Sequence, residues 1–192
     1  MTRLIGTVAM GLRAPIVKKG DNLVDIVGDI VEEVGKDEVR LHDKDVVAVT
    51  ESLLARSQGN YATIEQIAKD FSNKFDNDEV AILFPILSRN RFSILLKAFA
   101  LSGKKLHICL SYPSDEVGNL VMDEMDLFNS DVNAYTDVLS IEEFREVAGD
   151  YKHIFTEMDY PEFYSEIAKN SEIHFLNNPV DCLKFTDNFL VS

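Results

Sequence analysis

The chain has 192 residues, enough for one domain with a sizeable core or for one domain with an added subdomain. Its net charge of −14 comes from residues 114–192, which hold 18 acidic and four basic side chains, whereas residues 1–113 are neutral overall. Nucleic-acid binding needs a basic surface that neutralises phosphates, so this class is excluded. The acidic part is expected to be a solvated surface, with divalent-cation capture as the functional alternative.

The sequence also predicts a cytoplasmic protein without a membrane segment. No apolar run reaches about 18 residues, and the first residues lack the layout of a signal peptide. Cys109 and Cys182 lie in apolar contexts and are expected to be reduced core residues. No Cys-x-x-Cys or His-x-x-x-His spacing occurs, so we expect no structural zinc site. Three further histidines, His42, His107 and His174, are interpreted as incidental, that is, as having no functional role.

The first part of the chain alternates apolar segments with polar breaks. Residues 4–12 predict a strand, and Asp21 is the candidate N-cap of a helix whose apolar spacing covers residues 23–34. Residues 46–49 form a short apolar run that predicts a buried strand. A helical segment over residues 51–56 follows this strand.

The middle of the chain predicts a more regular pattern. A capping box predicts a helix that begins at Thr63. The apolar residues 80–87 and 106–110 predict two strands, and residues 92–101 predict the helix between them. Strand, helix and strand within about 30 residues indicate a parallel βαβ unit.

The periodicity is weaker beyond residue 119. Ser140 begins a second capping box, and Pro161 suits the first turn of a helix. Residues 173–176 predict a strand, and Pro179 predicts the start of a short helix. The chain then ends abruptly at the apolar residues 189–191, which indicates a piece of a longer protein.

Three segments between residues 14 and 59 carry a family resemblance. Residues 14–23 read apolar-Pro-apolar-apolar, two basic residues, then Gly-Asp-Asn-Leu. Residues 43–52 read Asp-Lys-Asp-Val-Val-Ala-Val-Thr-Glu-Ser, and residues 56–59 read Arg-Ser-Gln-Gly. In order and spacing, these segments resemble the amino-terminal part of the coenzyme F-420 gamma-glutamyl ligase family. The rest of the chain matches that family more loosely.

The resemblance implies an α+β (mixed α/β) fold with a βαβ unit and an interwoven homodimer. Residues 1–113 would form the ligase-like core, and residues 114–192 an acidic extension packed on the same core. The implied reaction uses a nucleoside triphosphate, GTP or ATP, to activate a small-molecule carboxylate as an acyl phosphate, which the amine of L-glutamate then converts to an amide. Mg²⁺ or Mn²⁺ would bridge phosphates to carboxylates. Departures from the family's residues leave an altered substrate or a lost activity open.

The resemblance assigns nucleotide binding to two short segments. The predicted nucleotide-binding residues are Pro15, Ile16, Val17, Glu51, Ser52 and Arg56. Glu51 and Ser52 stand at the family's Ser-Lys pair, and Arg56 stands at its second Lys. Arg56 keeps the positive charge that attracts phosphate, whereas the carboxylate of Glu51 repels it. The alternative is a surface helix with a solvated Arg.

A polar cluster interrupts the predicted βαβ unit at residues 88–93. Its predicted anion-binding residues are Arg89, Asn90, Arg91 and Ser93. A junction from strand to helix lies at the carboxyl edge of a parallel sheet, where ligands bind, and Arg side chains pair with planar anions. The resembled ligases have a metal-binding Asp here, for which Asn90 or Ser93 would stand in. The alternative is a polar helix start with solvated arginines.

Two further groups follow the second strand of this unit. Asp115 and Glu116 are predicted Mg²⁺ or Mn²⁺ ligands, with helix N-terminal acids as the alternative. His153, Thr156 and Asp159 are predicted to converge on one loop with His153 as a base, and the alternative is a structural loop.

Two other functions stay open beside the ligase. One is a non-catalytic anion-binding, ligand-binding or assembly domain of a longer protein that uses Arg89 and Arg91. The other is an unrelated α/β fold with chance matches to the family. A Rossmann or P-loop role is not expected, because no Gly-x-Gly-x-x-Gly or Walker segment occurs.

Overall fold

The structure, a computed structural model, describes residues 6–37, 39–87, 90–153 and 156–191, with the backbone alone at Asp37, Asn90 and Arg91. The chain divides into two compact units, Met1–Ala62 and Thr63–Ser192, which we name unit 1 and unit 2. The boundary predicted between residues 1–113 and 114–192 lies inside unit 2. The strands on both sides of Pro113 belong to one sheet. Among the described residues, no helix is long and apolar enough to cross a membrane.

Unit 1 contains two helices, α1 over Leu23–Asp37 and α2 over Glu51–Gln58. The α1 helix begins after Asn22, whose side-chain oxygen accepts hydrogen bonds from N–H groups of the first turn. The predicted N-cap, Asp21, instead accepts a hydrogen bond from the backbone N–H of Lys18 at 2.7 Å. The predicted cap is wrong by one residue, because the cap side chain must reach the free N–H groups of the helix.

The two strands predicted in unit 1 are not formed. Residues 6–12 and 46–49 have no strand pairing in the described part of the chain, and residues 4 and 5 lie outside it. Their apolar side chains are largely exposed, with values of 61% for Val8 and 88% for Val46. A strand needs a neighbour that pairs with its N–H and C=O groups, and the described residues of unit 1 supply none.

Unit 2 contains five α-helices and one 3₁₀ helix within its described residues. They are α3 (Ile64–Lys74), α4 (Asn90–Leu101), α5 (Glu124–Phe128), α6 (Ile141–Ala148), α7 (Tyr160–Ile167) and the 3₁₀ helix (Pro179–Lys184). The capping boxes predicted at Thr63 and Ser140 are both present. Asp159 caps α7, and Pro161 lies in its first turn as predicted. The sequence analysis missed α5, which Asp123 caps.

A parallel sheet of four strands forms the centre of unit 2, in the order β3-β2-β1-β4. The strands are β1 (Glu79–Leu83), β2 (Lys105–Leu110), β3 (Ser171–Phe175) and β4 (Phe189–Val191). The α4 helix connects β1 to β2, which confirms the predicted βαβ unit. The mixed α/β fold class is therefore confirmed.

The two faces of the sheet are covered differently. One face packs against α3, α4, α6 and α7 through a large apolar cluster, whose strand members are Val80, Ile82, Leu106, Ile108, Leu110, Ile173 and Phe175. The other face carries a smaller cluster of Ala81, Leu83, Cys109, Leu176 and Cys182. Cys109 and Cys182 are free and buried, as expected, and burial raises the pKa of the Cys109 thiol to about 12.

Candidate functional site

Two segments of unit 1 that are distant in sequence lie side by side. The backbone N–H of Gly20 donates a hydrogen bond to the C=O of Ser57 at 2.8 Å. Val17 and Ser57 are both buried, whereas Ile16 is 82% exposed. The turn that follows the Pro15-containing segment therefore packs against the last turn of α2, which carries Arg56.

Gly59 fixes the contact between this turn and α2. It ends α2 in the left-handed conformation, with φ of 71°, which glycine adopts without steric cost. A Cβ atom at Gly59 would lie 2.6 Å from Cε of Lys19, so the glycine also leaves room for this side chain. Lys19, which the sequence analysis did not select, therefore lies beside the end of α2 that bears Arg56.

Glu51 and Ser52 lie in the first turn of α2, at the end opposite Arg56. All three side chains are exposed. Thr50 occupies the N-cap position without a side-chain cap, and its hydroxyl lies 3.4 Å from the Ser52 hydroxyl. The structure therefore places hydroxyl groups beside the helix N-terminus, where backbone N–H groups attract anions. The nucleotide-binding roles of these residues stay predictions.

The start of α4, which overlaps the predicted anion-binding cluster, lies at the carboxyl edge of the sheet in unit 2. Arg89 lies outside the described residues, and the side chains of Asn90 and Arg91 are not described. Ser93 lies in the first turn of α4 and is partly buried. Since α4 follows β1 in the chain, its start lies at the edge that was expected from the sequence. Anion binding there stays a prediction.

Asp115, a predicted metal ligand, holds together two loops at the same edge. One carboxylate oxygen accepts hydrogen bonds from the N–H of Leu87 and the side-chain amide of Asn119, at 3.2 and 2.7 Å. The other accepts from the N–H groups of Val117 and Asn119, at 3.1 and 2.8 Å. These donors occupy the lone pairs that a metal would need, so buried Asp115 does not fit a cation, whereas Glu116 is exposed. No helix begins at Asp115.

A small cleft, with a cavity volume of about 20 Å³, lies near these loops. Its apolar lining includes Leu110 and Phe175, the last residues of β2 and β3, and its polar lining includes Arg145, His153 and Asp159. Ligands of parallel α/β sheets bind at the carboxyl ends of the strands. The cleft thus lies at the edge where the sequence predicted ligand binding.

The predicted group of His153, Thr156 and Asp159 is brought together in part. Nδ1 of His153 lies 3.0 Å from the Thr156 hydroxyl, which donates to the Tyr160 hydroxyl at 3.2 Å. Asp159 instead accepts a hydrogen bond from Arg145 at 2.8 Å and caps α7. Asp159 therefore orients Arg145 in the cleft rather than the imidazole of His153.

A second polar cluster lies on the less covered face of the sheet, the face that also carries Cys109. His107 on β2 lies beside Glu172 and His174 on β3, because side chains alternate along a strand and these three point to one face. Nδ1 of His107 lies 3.1 Å from Nε2 of His174 and 3.6 Å from Oε2 of Glu172. Nε2 of His174 lies 3.8 Å from the same carboxylate oxygen. We name these three residues the His-Glu-His cluster.

Neighbouring side chains fix the His-Glu-His cluster. Nε2 of His107 lies 3.1 Å from Oε2 of Glu79, and Nζ of Lys105 lies 2.9 Å from Oε1 of Glu172. The ring of Phe185 stacks on His174 with 3.7 Å between ring centroids. Burial, followed by repulsion from His107, lowers the pKa of His174 to about 4. The hydrogen bond from Lys105 lowers the pKa of Glu172, so the cluster at neutral pH contains a neutral His174 and a charged carboxylate.

No pattern in the sequence predicted this cluster, and His107 and His174 were expected to be incidental. One signal was present in part, since His174 lies in the strand predicted over residues 173–176 and Glu172 stands two residues before it. In the observed strand, which begins at Ser171, the two side chains share a face. The pairing of β2 with β3 was not readable, because helices and loops separate them in the chain. Metal motifs defined by short spacings do not detect ligands from neighbouring strands.

Comparison with known families agrees with this architecture. The family model of F420-0:gamma-glutamyl ligase matches residues 11–173. This range covers most of the chain, so the chain belongs to the F420-0:gamma-glutamyl ligase family, and the resemblance inferred from residues 14–59 is confirmed. A search of curated proteins and a search of solved structures each gave no significant match.

Proposed function

We propose that this chain is a nucleotide- and divalent-metal-dependent ligase that joins L-glutamate to a carboxylate acceptor through an amide bond. The observation that carries the proposal is the family match, which includes the segments of unit 1 and the carboxyl edge of unit 2. The packing of the Gly20 turn against Ser57 supports it, because two segments of the family's pattern meet in space.

In this proposal, unit 1 binds the triphosphate of GTP or ATP. Arg56 contacts the phosphates with a permanently charged guanidinium, and Lys19 adds a second positive charge at the same end of α2. Pro15, Ile16 and Val17 lie along the nucleoside. The exposed apolar side chain of Ile16 is suited to contact with a base.

The proposed reaction has two steps. A carboxylate oxygen of the acceptor attacks the terminal phosphorus, and the nucleoside diphosphate leaves with the bonding electron pair. The amine nitrogen of glutamate then attacks the acyl carbon, inorganic phosphate leaves, and the nitrogen loses a proton. In unit 2, Arg89 and Arg91, with Asn90 and Ser93, form a proposed binding site for a carboxylate or phosphate anion.

The proposed metal dependence, on Mg²⁺ or Mn²⁺, derives from the family. A divalent ion in such a reaction neutralises the phosphate oxygens. Because Asp115 is saturated with hydrogen bonds, the loop's remaining candidate ligand is Glu116, whose carboxylate is exposed.

We further propose that the chain forms a homodimer through unit 1. The support is the exposure of apolar residues in its unpaired segments, including Val8, Met10, Val46 and Val47. Extended apolar segments with unpaired backbone groups pair readily with another chain, and two-fold dimers are the commonest result. This exposure equally favours the second candidate function, an assembly or ligand-binding domain without catalysis.

Titration calorimetry with GTP and ATP in the presence of Mn²⁺ distinguishes the two functions. We expect the wild-type chain to bind one of these nucleotides, and Arg56→Ala to weaken binding about tenfold or more, as loss of a charge-assisted contact of 1.5–3 kcal/mol requires. Arg40→Ala is the matched control, since it removes an exposed Arg of unit 1 outside the predicted site.

The double variant Arg89→Ala and Arg91→Ala tests the edge of unit 2. We expect it to lose binding of glutamate or phosphate and to keep its circular dichroism spectrum. Unchanged affinity in a folded double variant would contradict the anion-binding assignment. The absence of heat with every nucleotide in wild type would replace the ligase with the ligand-binding or assembly function.

A further inference from the structure

We propose that the His-Glu-His cluster binds a divalent transition-metal ion of the zinc type, through Nδ1 of His107, Nε2 of His174 and Oε2 of Glu172. The cluster lies on the less covered face of the sheet, whereas ligase chemistry is assigned to unit 1 and anion binding to the start of α4 at the carboxyl edge. The inference is therefore independent of the proposed function.

The distances between the three donor atoms fit one small ion. Zinc binds imidazole nitrogen and carboxylate oxygen at about 2.0–2.2 Å, so a tetrahedral site separates its ligand atoms by roughly 3.4 Å. The observed separations are 3.1 Å between the two histidines and 3.6 and 3.8 Å from each of them to Glu172. An ion reaches all three atoms after shifts of a few tenths of an ångström.

Glu79 orients the first histidine for this role. The carboxylate of Glu79 is an acceptor, so it takes the N–H of His107 at Nε2, 3.1 Å away. In this tautomer the proton is at Nε2, and the lone pair at Nδ1 faces the other two ligands. A carboxylate behind a ligating histidine is the usual support of such sites, because it fixes the tautomer and raises the basicity of the ring.

The other two ligands are held in place as well. Lys105 binds Oε1 of Glu172 and leaves Oε2 facing both imidazoles. Phe185 stacks on the ring of His174 at 3.7 Å and on that of His107 at 5.3 Å, which restricts rotation of both. Glu172 is about half exposed, so the ion enters from solvent, and a fourth position is available for water.

The donor set selects the class of metal. Imidazole ligands suit zinc, cobalt, nickel and copper, whereas magnesium and calcium prefer sites composed of oxygen. Glu79, Glu172 and Lys105 together carry one net negative charge, which attracts a cation. A bound ion would link β2 to β3 on the face that lacks the large helical cluster.

Cobalt titration of the full chain, freed of metal by a chelator, tests the proposal. We expect one Co²⁺ per chain with the visible absorption of a tetrahedral site, and loss of that absorption when Zn²⁺ is added. Excess Mg²⁺ should leave the spectrum unchanged. A wild-type chain that shows no Co²⁺ spectrum and no Zn²⁺-dependent rise in Tm would overturn the proposal.

Matched variants locate the ion. His174→Gln and Glu172→Gln should each weaken Co²⁺ binding at least 100-fold, and Glu79→Gln should weaken it about 10- to 100-fold through its effect on His107. His42→Gln, which removes an exposed histidine of unit 1, should bind as wild type does. Circular dichroism in the metal-free state verifies that each variant folds. Undiminished binding in folded His174→Gln, or loss of binding in His42→Gln, would contradict the assignment.

Discussion

The same kind of sequence has opposite surroundings in the two units. In unit 2, the apolar residues of β1 and β2 pair with neighbours, and Ala81, Ile82 and Ile108 are fully buried. In unit 1, the valine-rich residues 46–49 pair with nothing in the described chain, and Val46 is 88% exposed. An apolar run of strand-forming residues therefore indicates that the segment needs a neighbouring strand. The topology of the chain decides whether that strand lies in the same chain.

Because apolar segments are buried in unit 2 and exposed in unit 1, we expect the two units to have different roles. Unit 2 carries its own core, with helices on one face of a parallel sheet, and its polar sites are built on that frame. Unit 1 offers the segments that we propose to bind a nucleotide, together with uncovered apolar side chains. We therefore expect substitutions in unit 2 to act on folding and those in unit 1 to act on association and nucleotide binding.

The largest expected effect is on the core of unit 2. Leu96 is fully buried in α4, so Leu96→Ala should lower the free energy of unfolding by about 2–5 kcal/mol, which combines lost burial with a cavity. Its neighbour Leu95 is 37% exposed, and Leu95→Ala is the matched control with a much smaller loss. Urea unfolding followed by circular dichroism measures both. Equal losses would show that α4 does not pack as described.

The next effect concerns association through unit 1. Light scattering at low micromolar concentration should give twice the chain mass of 21.6 kDa, insensitive to salt because the contact is apolar. Val46→Glu should weaken the dimer at least tenfold, since it places a charge in that contact. Val117→Glu, at an exposed valine of unit 2, is the control. A wild-type monomer at high concentration would refute the homodimer.

A smaller effect on stability, with opposite signs, is expected for alanine substitutions of two glycines of unit 1. Gly59→Ala should destabilise by about 1 kcal/mol or more, because alanine is strained at positive φ and its Cβ would meet Lys19. Gly28→Ala should instead stabilise by roughly 0.5–1 kcal/mol, since Gly28 lies inside α1 with open space around it. Thermal unfolding of both variants gives the sign. A neutral Gly59→Ala would argue against the packing of the Gly20 turn on α2.

Much of unit 2 was predictable from local signals. The capping boxes at Thr63 and Ser140 and the apolar run, helix and run that form the βαβ unit each depend on residues close in sequence. The absence of strands at residues 6–12 and 46–49 was not predictable, because strand formation depends on a partner. For Asp115, the sequence offered a metal ligand or a helix N-terminal acid, and neither interpretation anticipated its observed role. Its carboxylate accepts a hydrogen bond from the N–H of Leu87 in another loop, a contact that depends on the fold.

The candidate sites divide in the same way. The family pattern of residues 14–59 assigned the segment before the Gly20 turn and the helix α2 to the same predicted nucleotide site. The cleft and the His-Glu-His cluster could not be predicted from the sequence, because each brings together side chains from elements that are far apart in the chain. In the cluster, His107 meets His174 through strand pairing that no local periodicity reveals.

The central claim is that the segments of unit 1 bind a nucleotide in a gamma-glutamyl-ligase reaction. Thermal unfolding with GTP, ATP or glutamate, each with and without Mn²⁺, tests it most directly. A nucleotide at about 100 times its dissociation constant stabilises the chain by roughly 2.7 kcal/mol, which is readily measured as a rise in Tm. We predict this rise with GTP or ATP, and a larger one with Mn²⁺. An unchanged Tm with both nucleotides, in a chain that unfolds cooperatively, would contradict the claim.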